Sequence, residues 1–286
     1  MQNNELAQEI IARAKDIHDY VVRMRRDFHK HPETGFLETR TSGVIAEELK
    51  RMGISVQTNI AKTGVVGTLP IPDAKKAVAF RADMDALPIT EENCMEFKSQ
   101  NEGVSHACGH DANMAMLLGA AKLMTMLQGK LKRQVKFIFQ PCEEQHPGGA
   151  QLMIDEGVLS GVDEIYGMHI DPCIASGVFG LRYGPTMAAT DRIIITITGK
   201  GGHASTPHLC VDPIVIAAEV ILAIQTIVSR RINPLSPCVV SLCQIAGGTT
   251  FNVIPDTVKI TGTVRTLSKE LRHRMPLLLE DTIKGI

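Results

Sequence analysis

Two short runs limit most tightly what this chain can fold into. Ala77-Val78-Ala79-Phe80-Arg81-Ala82 and VKFIFQ, within Gln134 to Gln140, are near-continuous apolar stretches of strand length. Such runs suit strands covered on both faces, as in the interior of an α/β sheet. Each run ends in acids: Asp83-Met84-Asp85-Ala86-Leu87-Pro88 after the first and Pro141-Cys142-Glu143-Glu144 after the second. The C-terminal ends of strands in open α/β sheets are where ligand and catalytic groups collect. Neighbouring side chains on an extended chain point opposite ways, so one glutamate can hold a metal while the other faces a water beside it. That arrangement supplies a ligand and a general base. The plainer alternative is a set of solvated loop acids.

Between the two runs lies His106-Ala107-Cys108-Gly109-His110-Asp111, followed at once by an apolar helix-like stretch from Ala112 to Leu127. Thiolate and imidazole are ligands for borderline-soft divalent metals, and a Cys-Gly-His turn at a helix start aims two of them at one point. A structural cysteine beside a helix-capping Asp is the competing reading. The run Asp163 to His169 reads as a further buried strand, and His169 at its end adds another ligand type.

Composition narrows the class. A net charge of -1 and an aromatic content of 4% argue against a nucleic-acid partner. The N-terminus lacks the apolar core of a signal peptide. The longest apolar run, Val211 to Val228, is broken by Asp212, Pro213, Glu219 and Gln225, so no membrane span is expected. Seven scattered cysteines without a Cys-x-x-Cys pair read as reduced thiols in the cytoplasm.

The remaining pattern predicts helices over Leu6 to Arg26 (stopped by Pro32), Thr41 to Met52, Ala150 to Glu156, Val211 to Arg231 and Ser268 to Ile283, the last with Ser268 as N-cap. Strands are predicted over Ile54 to Thr58, Gly64 to Leu69, Asp191 to Thr198, Cys238 to Ile245 and Asp256 to Thr266. From Asp191 onward the order β-α-β-β-α resembles a split βαβ domain without its last strand.

Seven ordered strings, RADMDALPI, HACGHDA, FIFQPCEE, GMHIDP, GKGGHAS, FNVIPD and GTVRT, resemble the aminoacylase/carboxypeptidase-type metallopeptidase family. The nearest branch is the amidohydrolases that include hippurate hydrolase, N-acyl-amino-acid and auxin-conjugate hydrolases and N-acetyldiaminopimelate deacetylase. The match runs from about Phe28 to the last residue. The resemblance implies an α/β fold: a zinc-peptidase-like mixed-sheet catalytic domain (1–187) with an inserted ferredoxin-like βαββαβ lid domain (188–286). It implies two divalent ions (Zn, Mn, Co or Ni) on Cys108, His110, Glu144 and His169. Glu143 is implied as the base that activates a bridging water, and Asp85 as a structural acid near the site. His203 would stabilise the oxyanion in a partner subunit's site, and Asn252 with Arg265 would hold the substrate's carboxylate. The implied substrate is a small N-acyl or N-aroyl amino acid, and the implied assembly a homodimer through the lid.

The sequence also departs from the family's pattern. Asn113 stands where the branch usually has a further His, and Gln145-His146-Pro147 replaces a glycine run. In the family the lid closes with one more strand, and the chain then returns to the catalytic domain with a last His ligand. Both domains are therefore expected to be incomplete at the C-terminus. The alternative function is an inactive truncated relative that only binds metal or a partner. A phosphate-binding reading of Gly199-Lys200-Gly201-Gly202-His203 fails on its spacing.

Overall fold

The computed structural model describes residues 2–72, 74 and 76–286. The chain divides into two units, one ending at Ala175 and one running from Ser176 to Ile286. This break lies before the 187/188 boundary expected from the sequence.

The first unit opens with helices α1 (Gln2–Asp16), α2 (His18–Lys30) and α3 (Thr39–Arg51). The single helix expected over Leu6 to Arg26 is interrupted at Ile17, which leaves helical geometry (φ −99°, ψ 4°) and is buried in the interior. Then come β1 (Ser55–Ile60), β2 (Gly64–Leu69), β3 (Ala77–Asp83), α4 (His110–Met126), β4 (Gln134–Gln140), α5 (Gly149–Asp155) and β5 (Val162–Gly167). The strands form one mixed sheet in the order β1-β2-β4-β3-β5. β1, β2 and β4 pair antiparallel, whereas β4, β3 and β5 run parallel. Phe28 of α2, Ile45 and Leu49 of α3, Met114 and Leu118 of α4, and Phe137 of β4 form the fully buried core. Burying each such side chain contributes about 1.5–3 kcal/mol.

Register places the site. Asp83 pairs with Gln140 and Arg81 with Gly167, so three parallel strands end at the same edge of the sheet. β5 differs from expectation: it is the edge strand, with Ile165 and Tyr166 exposed, rather than a buried one. An apolar run alone does not distinguish an inner from an edge strand.

The second unit contains β6 (Ala189–Thr198), β7 (Gly202–His203), α6 (Pro213–Thr226), β8 (Cys238–Gly247), β9 (Val253–Ile254), β10 (Thr257–Thr266) and α7 (Lys269–Lys284). β6, β10 and β8 form an antiparallel sheet in that order, and β7 pairs with β9. Alternate residues Ile193, Ile195 and Ile197 of β6 pack with Val220 and Ile224 of α6 and Met275 of α7. Both helices start at capped ends, Asp212 accepting from the Ile214 N–H (2.9 Å) and Ser268 from the Leu271 N–H (3.2 Å).

The apolar run around Val211 to Val228, expected to be too broken for a membrane span, forms a continuous helix over most of its length. Helical geometry runs unbroken from Pro213 to Arg231, and that stretch of 19 residues with mean hydropathy 1.6 is long and apolar enough to cross a membrane by length and composition. Pro213 is the first helical residue, where its ring is tolerated, so it does not interrupt the run. The face carrying Ala217, Val220, Ile224 and Ile227 is buried within this unit's own core.

At Gly262 the β10–β8 register shifts, and a Cβ there would lie 2.2 Å from the Ser241 carbonyl oxygen. Because the obstacle is backbone, Gly262→Ala is expected to cost about 1–3 kcal/mol, read as a lower midpoint in urea unfolding followed by circular dichroism.

Candidate metal centre

The common edge of β3, β4 and β5 gathers the side chains singled out in the sequence. Asp83 closes β3 and Asp85 follows it; Glu143 and Glu144 follow β4; His169 follows β5; His110 is the first residue of α4. Between Cys108 and His110, Gly109 has φ +80°, and a Cβ there would lie 2.2 Å from Ile170 Cδ1. Only glycine suits that left-handed conformation and that contact, so the Cys-Gly-His turn depends on it.

Asp85 organises the centre. Its carboxylate accepts the backbone N–H groups of Glu143 (2.9 Å) and Glu144 (3.0 Å). Its backbone carbonyl lies 2.8 Å from His110 Nδ1. With Nδ1 donating there, His110 Nε2 is left as a free electron pair aimed into the cluster. Ligand atoms of Cys108, His110 and His169 lie within 4.8 Å of one another, and so do those of His110, Glu143 and Glu144. The two groups share His110. Cys108 Sγ is 3.5 Å from His169 Nε2, and Glu144 Oε1 is 3.9 Å from His110 Nε2. Asp83 lies 3.6 Å from the same His110 nitrogen and accepts a hydrogen bond from Asn113 (2.8 Å), so Asn113 orients an acid of the centre.

These residues fit metal ions. His110 Nε2 and Glu144 Oε1 are buried without a hydrogen-bond partner among the described residues, a costly state for polar atoms that an ion would relieve. The Cys108 thiol is pushed up to about 12, first by burial, then by Glu144 and the acids Glu143 and Asp83. A dication held among those carboxylates would favour the thiolate. Burial and the adjacent Glu144 raise the Glu143 carboxyl. Burial pushes Asp85 up, but His110 and the two backbone N–H groups outweigh it and hold Asp85 below its ordinary value.

The family model for peptidase family M20/M25/M40 matches residues 79–273. The chain belongs to that family. It is 44% identical to an N-acyl-L-amino acid amidohydrolase of Geobacillus stearothermophilus over 98% of its own length and 75% of that protein's. It is 44% identical to the IAA-amino acid hydrolase ILR1-like 5 of Arabidopsis thaliana over 90% of its length and 59% of that protein's. The crystal structure of the Bacillus subtilis YXEP protein, described as a dinuclear metal binding peptidase from the M20 family, matches with a TM-score of 0.82 and 38% identity. That match covers 95% of this chain and 70% of the other. The amidohydrolase resemblance read from the seven strings is thus borne out, and the chain is a metal-dependent hydrolase by kind.

The other three candidates of this M20-family chain lie in the second unit. His203 pairs with Val253 across β7 and β9, and the Ala204 N–H donates to the Asn252 carbonyl (3.1 Å), so His203 and Asn252 are neighbours. Arg265 stands near the far end of β10, where it donates to Thr190 Oγ1. Ten extended residues span about 33 Å, so the strand's length separates Arg265 from the other two. The expected Asn252–Arg265 pair is therefore not one cluster within this unit.

A buried network that no local sequence pattern marks lies behind the Cys-Gly-His turn. Asp111 receives Arg25 (2.8 Å) and His29 Nδ1 (2.7 Å), while His29 Nε2 meets Glu91 (3.0 Å). The hydrogen bond to Asp111 raises the His29 pKa despite burial. The visible trace was His29 inside the string that ends α2, where it reads as an ordinary helix residue. A cavity of about 660 Å³ opens beside it against Cys108 and Gly109, a size suited to a small ligand. A larger cleft of about 1030 Å³ lies between β6 and α7 and is lined by none of the candidate ligating residues.

His106 is 4% exposed with neither ring nitrogen bonded among the described residues, and burial lowers its pKa from 6.5 to about 4. The unfolded chain takes up this proton near 6.5, so the neutral ring's contribution is complete above 6.5 and drains away as the pH falls toward 4. In metal-free protein, His106→Phe is expected to remove up to about 3 kcal/mol of acid sensitivity in that window. Denaturant unfolding of parent and variant between pH 7 and pH 4 measures the difference.

Proposed function

We propose that this chain hydrolyses the amide bond of N-acyl or N-aroyl amino acids with two divalent ions bound. The observation that carries the reading is the pair of ligand groups sharing His110, with Glu143 beside Glu144. Cys108, His110, Glu144 and His169 would hold the ions. Zn, Mn, Co and Ni all suit such a mixed donor set. Bound ions would polarise the scissile carbonyl and make water a nucleophile at neutral pH.

The chain's own groups do the rest. Glu143 takes a proton from the attacking water and returns it to the leaving nitrogen. A raised carboxyl is better matched to this exchange near neutral pH than an ordinary one. His203 Nδ1 accepts the Ser205 N–H (3.2 Å), which leaves Nε2–H as the donor for a developing oxyanion. Asn252 and Arg265 bind the substrate's carboxylate, Arg265 through its planar fork.

An acyl amino acid is far shorter than β10, so His203 with Asn252 and Arg265 act on one substrate only if they come from two copies of the chain. This supports a homodimer through the second unit. The seven unpaired cysteines suit the reducing cytoplasm.

Glu143→Gln is expected to lower kcat for hippurate or an N-acetyl amino acid by about 100-fold or more. Metal content should stay at the parental value. Steady-state kinetics and elemental analysis on the same samples check both. Unchanged hydrolysis in the variant removes Glu143 as the base.

A further inference from the structure

The turn after β4 is gripped from two sides. Asp85 holds the N–H groups of Glu143 and Glu144, and Glu38 Oε1 accepts the N–H of the residue before them, Cys142, at 2.8 Å. Glu38 is fully buried, and its other oxygen accepts the Thr63 hydroxyl at 2.5 Å. Three successive backbone donors thus end on two buried carboxylates. Cys142 needs such restraint: it is a non-glycine residue at φ +47°, a left-handed conformation that costs about 1–2 kcal/mol and persists only when its surroundings impose it.

A second feature serves the same residue. Gly35 lies against Cys142, where a Cβ would come within 2.7 Å of Sγ and 3.1 Å of Cα. The segment bearing Gly35 and Glu38 is itself fixed. Glu33 accepts the N–H groups of Arg40 (3.0 Å) and Thr41 (2.8 Å), and its carbonyl accepts the Ala86 N–H (2.8 Å), next to Asp85. A buried carboxylate is costly, and an apolar side chain would fill this space at lower cost. Glu38 instead spends its acceptors on the turn that carries the Glu143–Glu144 pair.

We propose that Glu38 is a positioning residue that, with Gly35, sets the direction of Glu143 and Glu144 through the Cys142 backbone. The inference rests on the roles proposed above for those two glutamates. Glu38→Gln keeps an oxygen for Cys142 and an amide for Thr63, whereas Glu38→Leu keeps neither. Parent and variants are compared for kcat and KM on an N-acetyl amino acid, for zinc affinity of the metal-free chain, and for amide hydrogen exchange at Cys142–Glu144. Glu38→Leu should lower kcat by about 10–100-fold with KM within about twofold, weaken zinc by about tenfold, and speed exchange at those amides. Glu38→Gln should stay within about threefold of the parent on each measure.

The proposal is overturned if Glu38→Leu lowers thermal stability but leaves kcat, zinc affinity and exchange unchanged. It is equally overturned if Glu38→Gln is as impaired as Glu38→Leu. Should Glu38→Leu fail to fold, Gly35→Ala decides: lower kcat with faster exchange at Cys142 supports the proposal, and parental values overturn it. If the parent cleaves no N-acyl amino acid with any of the four metals, the functional reading fails. Zinc affinity and exchange then still decide whether Glu38 positions the turn.

Discussion

Asp85 ties together three segments that are remote in sequence. Its carboxylate accepts the two N–H groups of the glutamate pair, and its carbonyl accepts a hydrogen bond from His110 Nδ1. A single residue at the end of β3 therefore fixes the turn after β4, the first side chain of α4 and the imidazole nitrogen left open for a metal. The parallel pairing of β3 with β4 makes this possible, since it brings the two strand ends level. If the ladder slipped by one residue, every side chain beyond the strands would face the wrong way. The fidelity of the centre is thus inherited from the buried sheet.

The crowding of acids has a structural logic of its own. Asp83, Asp85, Glu143 and Glu144 would repel one another if held together without compensation. Two of them are answered locally, Asp83 by Arg81 and Asn113, and Asp85 by two amides and His110. Glu144 Oε1 has no such answer. The uncompensated atom belongs to a residue proposed as a metal ligand, and the compensated Asp85 is the acid that holds the turn after β4.

Much of this was legible in the sequence because it rests on local pattern. The apolar runs marked β3 and β4 within a residue or so, Ser268 marked the start of α7, and the Cys-Gly-His turn marked the start of α4. Residues acting across long separations were not legible. Glu38 reaches Cys142 over 104 positions and His29 reaches Asp111 over 82, and nothing in either neighbourhood signals the contact. The exposure of β5 was hidden for a related reason, because neighbour order in a sheet is a property of the whole topology. The placement of Arg265 at the opposite end of β10 from Asn252 is another case: the two looked like a pair in the string and are a strand's length apart in space.

The raised pKa of Cys108 also bears on durability. Oxidants and alkylating agents attack thiolates far faster than thiols. A chain that has not taken up metal keeps this sulfur protonated among carboxylates and so keeps it chemically quiet. Burial first, and then Glu144, Glu143 and Asp83, thereby keep the thiol proposed as a metal ligand in its protonated form.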